Sequence, residues 1–456
     1  MKINTGTGEN SLDELIMERF ALAKERIMEI PEENAVPEPY CDFFRKEAQF
    51  LQKTFEVLDE NFEEKTLEEL QKQNHALYED VLEENYETSY GNPAYAQKML
   101  GEYGKDFSFL YAELHSAIAY AFERKMWDYT VGLELFLEVY SAFGQDELPQ
   151  EKQVRDILVS YVNDYCQDMM EQRIREGVDP ELDFATKIIM ESDLSDLRYL
   201  YKYGEYVSEN EIGAASFLNS LSQEEIDAMA KTYTEGYRIG FIMGRKDITK
   251  KKTVNIRYNL GFERMVRAAI LNFREIGLEP VIYRHASHAV NKKDQRIGYT
   301  GGVENPQFDY DHRQDSALFL DADFVQRKLR AMQTSYEQYK ELAAVHGGPA
   351  CIDVFGEKPF SPVGKSESLS HSEAQQKLEV ELNNESGQIV NRYIKGEERS
   401  FCIIAYPLPE IGGNYEEIFR EIVKINTLDY EKYQKLQQTI IDTLDKSEWV
   451  TIKGCD

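Results

Sequence analysis

Long apolar runs are missing from this sequence. No stretch approaches the ~18 uninterrupted apolar residues of a membrane-spanning helix, and the opening MKINTGTGENSLDEL has no apolar core of a secretory signal. A cytoplasmic chain with no membrane partner is the expectation. Cysteine is scarce as well. Cys41, Cys166, Cys351, Cys402 and Cys455 are scattered and form no Cys-x-x-Cys pair, which predicts reduced thiols rather than a disulfide framework. Clustered Lys and Arg are absent apart from Lys250–Lys252, just before a predicted strand, so nucleic acid is not expected as a partner. There is no Gly-x-Ser-x-Gly elbow. Gly301-Gly302 lacks the flanking strand and helix that a phosphate-binding glycine loop needs.

What is present is a chain long enough for two or three domains and apolar enough to pack them. Its 456 residues are 42% hydrophobic and include 29 Tyr and 23 Phe. The formal net charge is -31 and is unevenly spread. Residues 1–220 hold 47 Asp and Glu against 20 Lys and Arg, a balance of -27, and the rest hold 36 against 32. The change predicts two regions, an acidic helical extension over 1–221 and a second domain over 222–456.

The first region reads as helix after helix. Ser11 with Glu14, Thr66 with Glu69 and Ser222 with Glu225 have the spacing of capping boxes, in which hydroxyl and carboxylate each satisfy an orphan backbone N–H. Helices are predicted over 109–126, 129–143 and 150–173. In the first of these Leu110, Leu114, Ile118, Phe122 and Met126 form one four-spaced stripe. From about 250 the pattern changes. Strands are predicted at 253–258, 280–283, 350–355, 400–405 and 449–453, with helices at 263–275, 322–345, 415–425 and 428–445. Strand, helix and strand within about thirty residues make a βαβ unit, which implies a parallel sheet. The fold class is therefore α/β: a helical N-terminal region followed by an α/β domain with a mostly parallel sheet.

Candidate chemistry gathers in the polar connection from His285 to Gln314, long enough to suggest function. His285 and His288 have a spacing that could seat two imidazoles on one metal, but no third ligand follows closely. Asp309, Asp311, His312 and Asp315 fall within DYDHRQD, a dense donor group that lacks the glycine and closing glutamate of a calcium loop. A solvated or hydrogen-bonded turn explains them as well. Acid pairs such as Glu32-Glu33 and Glu63-Glu64 point in different directions on a helix and read as solvated faces. The residues alone assign no catalytic group and no cofactor-binding group.

A resemblance adds to this. AMAKTYTEGYRIGFIMGRKDITKKKTVNIRY (228–258), the stretch Gly261–Arg284 ending in PVIYR, RSFCIIAYPLPEIGG (399–413) and KINTLDYEKYQKLQQTIIDTLDKSEWVTIKG (424–454) resemble the thermophilic metallo-aminopeptidases of the aminopeptidase T and aminopeptidase S type. The likeness covers roughly residues 222–456. It implies an exopeptidase acting on peptides, a tendency to dimerise, and two divalent ions (zinc, cobalt or magnesium) in the complete enzyme, paired to polarise the carbonyl and activate water. It also implies that the metal ligands follow the strand ending at Lys453-Gly454, so a truncated form without metals on this chain is expected, and no ligand is carried over to any position. A non-catalytic interaction or oligomerisation module is the alternative reading. A non-metal α/β enzyme using the 285–315 loop is a third.

Overall fold

The computed structural model describes residues 9–427 and 430–454 except position 294, with the side chains of 9–13, 430 and 431 outside the description. From Glu9 to Met243 every regular element is a helix, and no strand precedes Thr253 among the described residues. Two of the predicted capping boxes form. Thr66 Oγ1 accepts from the Glu69 N–H at 3.3 Å while the Glu69 carboxylate accepts from the Thr66 N–H at 2.8 Å. Ser222 and Glu225 repeat this at 3.2 and 2.9 Å. The Ser11 box falls on side chains outside the description, in a helix that already runs from Glu9.

The predicted 109–126 helix is in fact three elements: Gly104–Leu114, Ala117–Glu123 and the start of Met126–Phe143. Arg124, at a left-handed φ of 53°, turns the chain between the last two. Leu110, Leu114 and Ile118 are buried in one core on either side of the first break. A buried stripe thus survives a change of axis, and periodicity does not register the kink. The 150–173 stretch likewise splits into Glu151–Asp164 and Cys166–Val178, and 322–345 into Ala322–Gln338 and Lys340–Ala344. Rings fill the helical core. Phe43 and Phe107 meet edge to face at 4.6 Å, and Phe44 packs on Phe107 and Phe143 at 5.6 Å.

The sheet comprises β1 (Thr253–Asn259), β2 (Glu279–Val281), β3 (Tyr299–Thr300), β4 (His346–Phe355) and β5 (Cys402–Pro407). The order is β2-β1-β4-β5, with β3 also on β1, and every pairing is parallel. The predicted βαβ unit is β1, helix Glu263–Glu275 and β2, joined through Gly277 at a φ of 81°. Three strands shift: β2 ends at Val281, β4 begins at His346, and β5 lies two residues later than predicted. Trp449–Lys453 is not a strand; Trp449 is 88% exposed and Ile452 91%. Its alternation is real, but no described residue pairs with it, and a strand exists only with a partner. The 285–314 connection is not wholly loop, since it contains β3 and a short helix, Pro306–Asp311, capped by Asn305. Segment 358–369 has no helix or strand.

Val254, Ile256, Tyr258, Ala350, Ile352 and Ile404 bury one face of the sheet in a core shared with helices Gln223–Met243, Glu263–Glu275 and Tyr415–Asn426. The opposite face of β1 is polar, carrying Thr253, Asn255, Arg257 and Asn259. Strands of a parallel sheet are ordinarily apolar on both faces. Above this polar face lie Cys166–Val178, Ala322–Gln338 and Glu373–Tyr393, with the middle helix packed on both others. They belong to the core of the helical half. A cavity separates the two cores. No helix among the described residues is long and apolar enough to cross a membrane, and the four described cysteines form no disulfide.

Candidate functional site

The cavity has a volume of about 1020 Å³, at the upper end of small-molecule sites. Ten Lys and Arg line it against four Asp and Glu, in a protein whose net charge is -31. The cations come from separate elements: Arg173 from the 166–178 helix, Arg257 from β1, Lys293 from the connection after β2, Lys328 from the 322–338 helix and Arg399 from the turn before β5.

Arg257 is held in place. Its Nε donates to Asn255 Oδ1 at 2.7 Å, and Asn255 Nδ2 donates to the Val281 carbonyl at 3.0 Å. Among the described residues no carboxylate reaches ion-pair distance of Arg257, Lys293 or Arg399. Arg173 is partly neutralised, its Nη1 lying 3.1 Å from Glu176, and its guanidinium stacks 4.6 Å from the Tyr283 ring centre. His346 Nδ1 accepts from the Gly348 N–H at 3.0 Å, so its other nitrogen carries the hydrogen and is free to donate. Gly348 is required there by a φ of 104° and by the Ser400 carbonyl against it.

The like charges act on one another. Burial, then Arg173 and Arg257, hold the Lys293 ammonium below its ordinary value. Burial, then Arg399 and Arg257, push His346 down to about 4. Burial pushes Lys328 down to about 8, against Cys166 and with help from Lys293, and its Nζ donates to the Val290 carbonyl at 2.5 Å. Burial is the first cause in each case, and neighbouring cations add to it.

The residues singled out in the sequence are divided by the structure. His285 lines the cavity with Nδ1 3.7 Å from Glu205, and burial beside Arg296 and Arg284 drives its pKa well below the ordinary value. His288 lies in a small adjoining pocket, its Nε2 3.3 Å from Asn291 Nδ2 and its Nδ1 without a partner. Asp309 is paired with Arg296 at 2.9 Å. Asp311 is buried, holding Lys365 at 2.6 Å and the Tyr86 hydroxyl at 2.7 Å. His312 spans the Gly91 carbonyl at 2.7 Å and Asp315 at 2.8 Å, so both its nitrogens are committed. Among the described residues no group of three or more His, Cys, Asp or Glu converges as a metal site requires. These donors do not fit a metal.

No family model matches the chain, and no curated protein or solved structure matches it either.

Arg173, Lys293, Lys328, His346 and Arg399 carry no local sequence signal, because their convergence depends on tertiary packing. Arg257 carries one. TVNIRYN alternates polar and apolar residues in a strand of a parallel sheet, where a second apolar face is the norm. That departure marks the floor of the cavity.

Three buried imidazoles give a direct test of the electrostatics. Burial, aided by neighbouring cations, pushes His115 and His288 down to about 3 and His346 down to about 4. Their Cε1 proton resonances are expected to keep neutral-imidazole shifts from pH 8 to pH 5. Ordinary titration near pH 6.5 would contradict the burial of these rings beside cations. Because these folded-state values are depressed, the neutral rings favour the native state at neutral pH. That contribution is lost as pH falls from the unfolded value toward 4 and then 3.

Proposed function

We propose that this chain binds a small anionic ligand in the cavity between the polar sheet face and the helical half. The observation that carries the reading is a strongly cationic lining, with Arg257, Lys293 and Arg399 lacking a carboxylate partner among the described residues. Gathering like charges in a partly desolvated space opposes folding unless something binds them. A ligand with negative charge relieves that cost and is held by charge-assisted hydrogen bonds. Met332, Tyr336, Leu382, Val390 and Ile394 give the same cavity an apolar flank, suited to the body of an organic anion.

The test is thermal unfolding in low salt with a panel of organic phosphates, carboxylates and sulfates, beside matched cations and neutral analogues. Anions that bind with [L] at 100 times Kd stabilise by about 2.7 kcal/mol, and the gain falls as salt screens the charges. Equal shifts with neutral analogues, or none with any anion, would remove the proposal.

A second reading is that residues 222–456 are the N-terminal α/β part of a metallo-aminopeptidase, with peptides as substrates. It is supported by the succession of β1, helix 263–275 and β2, and by β5 ending at Tyr406-Pro407 ahead of helix Tyr415–Asn426; the strand that the resemblance also implies at 449–453 does not form. Its test is release of leucine from an N-terminal leucyl peptide, with and without added zinc, cobalt or magnesium. Release that persists without added metal and in the presence of a chelator would count against this reading.

A further inference from the structure

Resting on the anion-binding reading, we infer that the cavity is a site for a phosphate monoester on a partly apolar body, with the phosphate on Arg257, Lys293 and Arg399. Arg257 is the anchor of this site. Its Nε is taken by Asn255, and Asn255 is in turn fixed by the Val281 carbonyl. The guanidinium is therefore oriented before any ligand arrives, and its two terminal nitrogens have no partner among the described residues. A fixed fork of two N–H groups matches two oxygens of an oxyanion.

Charge then selects the oxyanion. A carboxylate brings one negative charge and is satisfied by one fork. Arg173, Arg257, Lys293, His346 and Arg399 come from separate elements and line one and the same cavity. One carboxylate leaves most of that charge unmatched. A phosphate monoester brings about -1.5 to -2 at pH 7 and three acceptor oxygens, enough for the Arg257 fork together with Lys293 and Arg399. The neutral His346, with Nδ1 occupied by the Gly348 N–H, offers a further uncharged donor beside them. Lys293 is the most exposed of the four residues yet its ammonium is partly desolvated at the cavity, whereas Arg173, Arg257 and Arg399 are half-buried. Met332, Leu382 and Ile394 line the same space and suit an apolar body.

In this arrangement Arg257 contacts ligand, and Asn255 is a positioning residue acting through it. The experiment is isothermal titration of the full chain in low salt with phenyl phosphate, inorganic phosphate and phenylacetate. Phenyl phosphate is expected to bind at least about tenfold more tightly than phenylacetate, because its charge-assisted bonds are more numerous. Arg257→Gln is expected to weaken phenyl phosphate by about tenfold or more and to flatten its salt dependence. Asn255→Ala should weaken it less and leave the salt dependence unchanged, since no charge is removed. Arg257→Lys keeps the charge without the fork and should fall between wild type and Arg257→Gln. Arg399→Gln gives an independent variant if substitution in β1 disturbs folding.

Phenylacetate binding as tightly as phenyl phosphate, or phosphate affinity indifferent to both Arg257→Gln and Arg399→Gln, would overturn the phosphate assignment while leaving anion binding in place. No heat with any of the three anions, and no stabilisation by the wider anion panel, would overturn the anion-binding reading itself.

Discussion

Arg284→Met is expected to lower the stability of the protein by about 3–5 kcal/mol, the cost of leaving buried carboxylates without their cation. Arg284 follows β2 and is 4% exposed; Glu123 and Glu205 beside it are 9% and 4% exposed. Its Nε pairs with Glu123 at 2.5 Å, its Nη1 with Glu205, and its Nη2 with the Tyr203 carbonyl. The guanidinium lies 5.3 Å from the Tyr299 ring centre. Burial raises the Glu123 pKa, but Lys125 and Arg284 outweigh it and bring the carboxyl to about 2. Glu123 therefore stays charged, and removing Arg284 exposes that charge to a low dielectric. Methionine replaces much of the volume, so the loss reports charge rather than a void. Chemical denaturation followed by tryptophan fluorescence measures it. Adding Glu123→Gln and Glu205→Gln to Arg284→Met is expected to recover a large part of the loss, because an uncharged cluster carries a smaller desolvation penalty. A loss below about 1 kcal/mol, within the range of an exposed pair, would show that water reaches this cluster. The site matters beyond stability: Arg284 begins the connection that carries His285, Lys293 and Arg296 into the cavity.

Glu113→Gln is expected to stabilise the protein at alkaline pH and to change little near pH 4. Glu113 Oε2 accepts from the Ala289 N–H at 2.8 Å and Oε1 meets the Tyr161 hydroxyl at 3.0 Å, anchoring the same connection from the helical side. Burial, offset in part by those two hydrogen bonds, raises its carboxyl to about 7. A raised folded-state value means the native protein binds the proton more tightly than the unfolded chain does. The contribution is whole below the unfolded value of about 4.3 and is lost as pH rises through about 7. A shift of this size corresponds to about 4 kcal/mol at 1.36 kcal/mol per pKa unit. Glutamine keeps both contacts without the ionisation: its oxygen accepts from Ala289 and its amide donates to Tyr161. The difference in stability between variant and wild type should therefore grow from pH 4.5 to pH 8. A flat difference across that range would mean that Glu113 ionises as it does in water.

Much of the architecture was legible in the sequence. Thr66 with Glu69 and Ser222 with Glu225 announced helix starts because a capping box is complete within four residues. The unit from Thr253 to Val281 was legible because strand, helix and strand follow at short range and each has its own period. Breaks at Arg124 and Tyr165 were not, since a stripe that stays buried through a kink keeps its spacing. Trp449–Lys453 has the alternation of a strand, but pairing is a long-range property that alternation cannot report.

The candidate site was less legible. The sequence marks His285, which lines the cavity; it also marks Asp311, His312 and Asp315 as donors, and these are spent on internal hydrogen bonds and ion pairs. The sequence by itself determined the acidic surface of the helical half, the change to α/β near 250 and the parallel sheet, because composition and periodicity are local. Only the tertiary structure brought Arg173, Arg257, Lys293 and Arg399 into one space. Each comes from a different element, and an electrostatic field depends on distance in space, where separation along the chain counts for nothing.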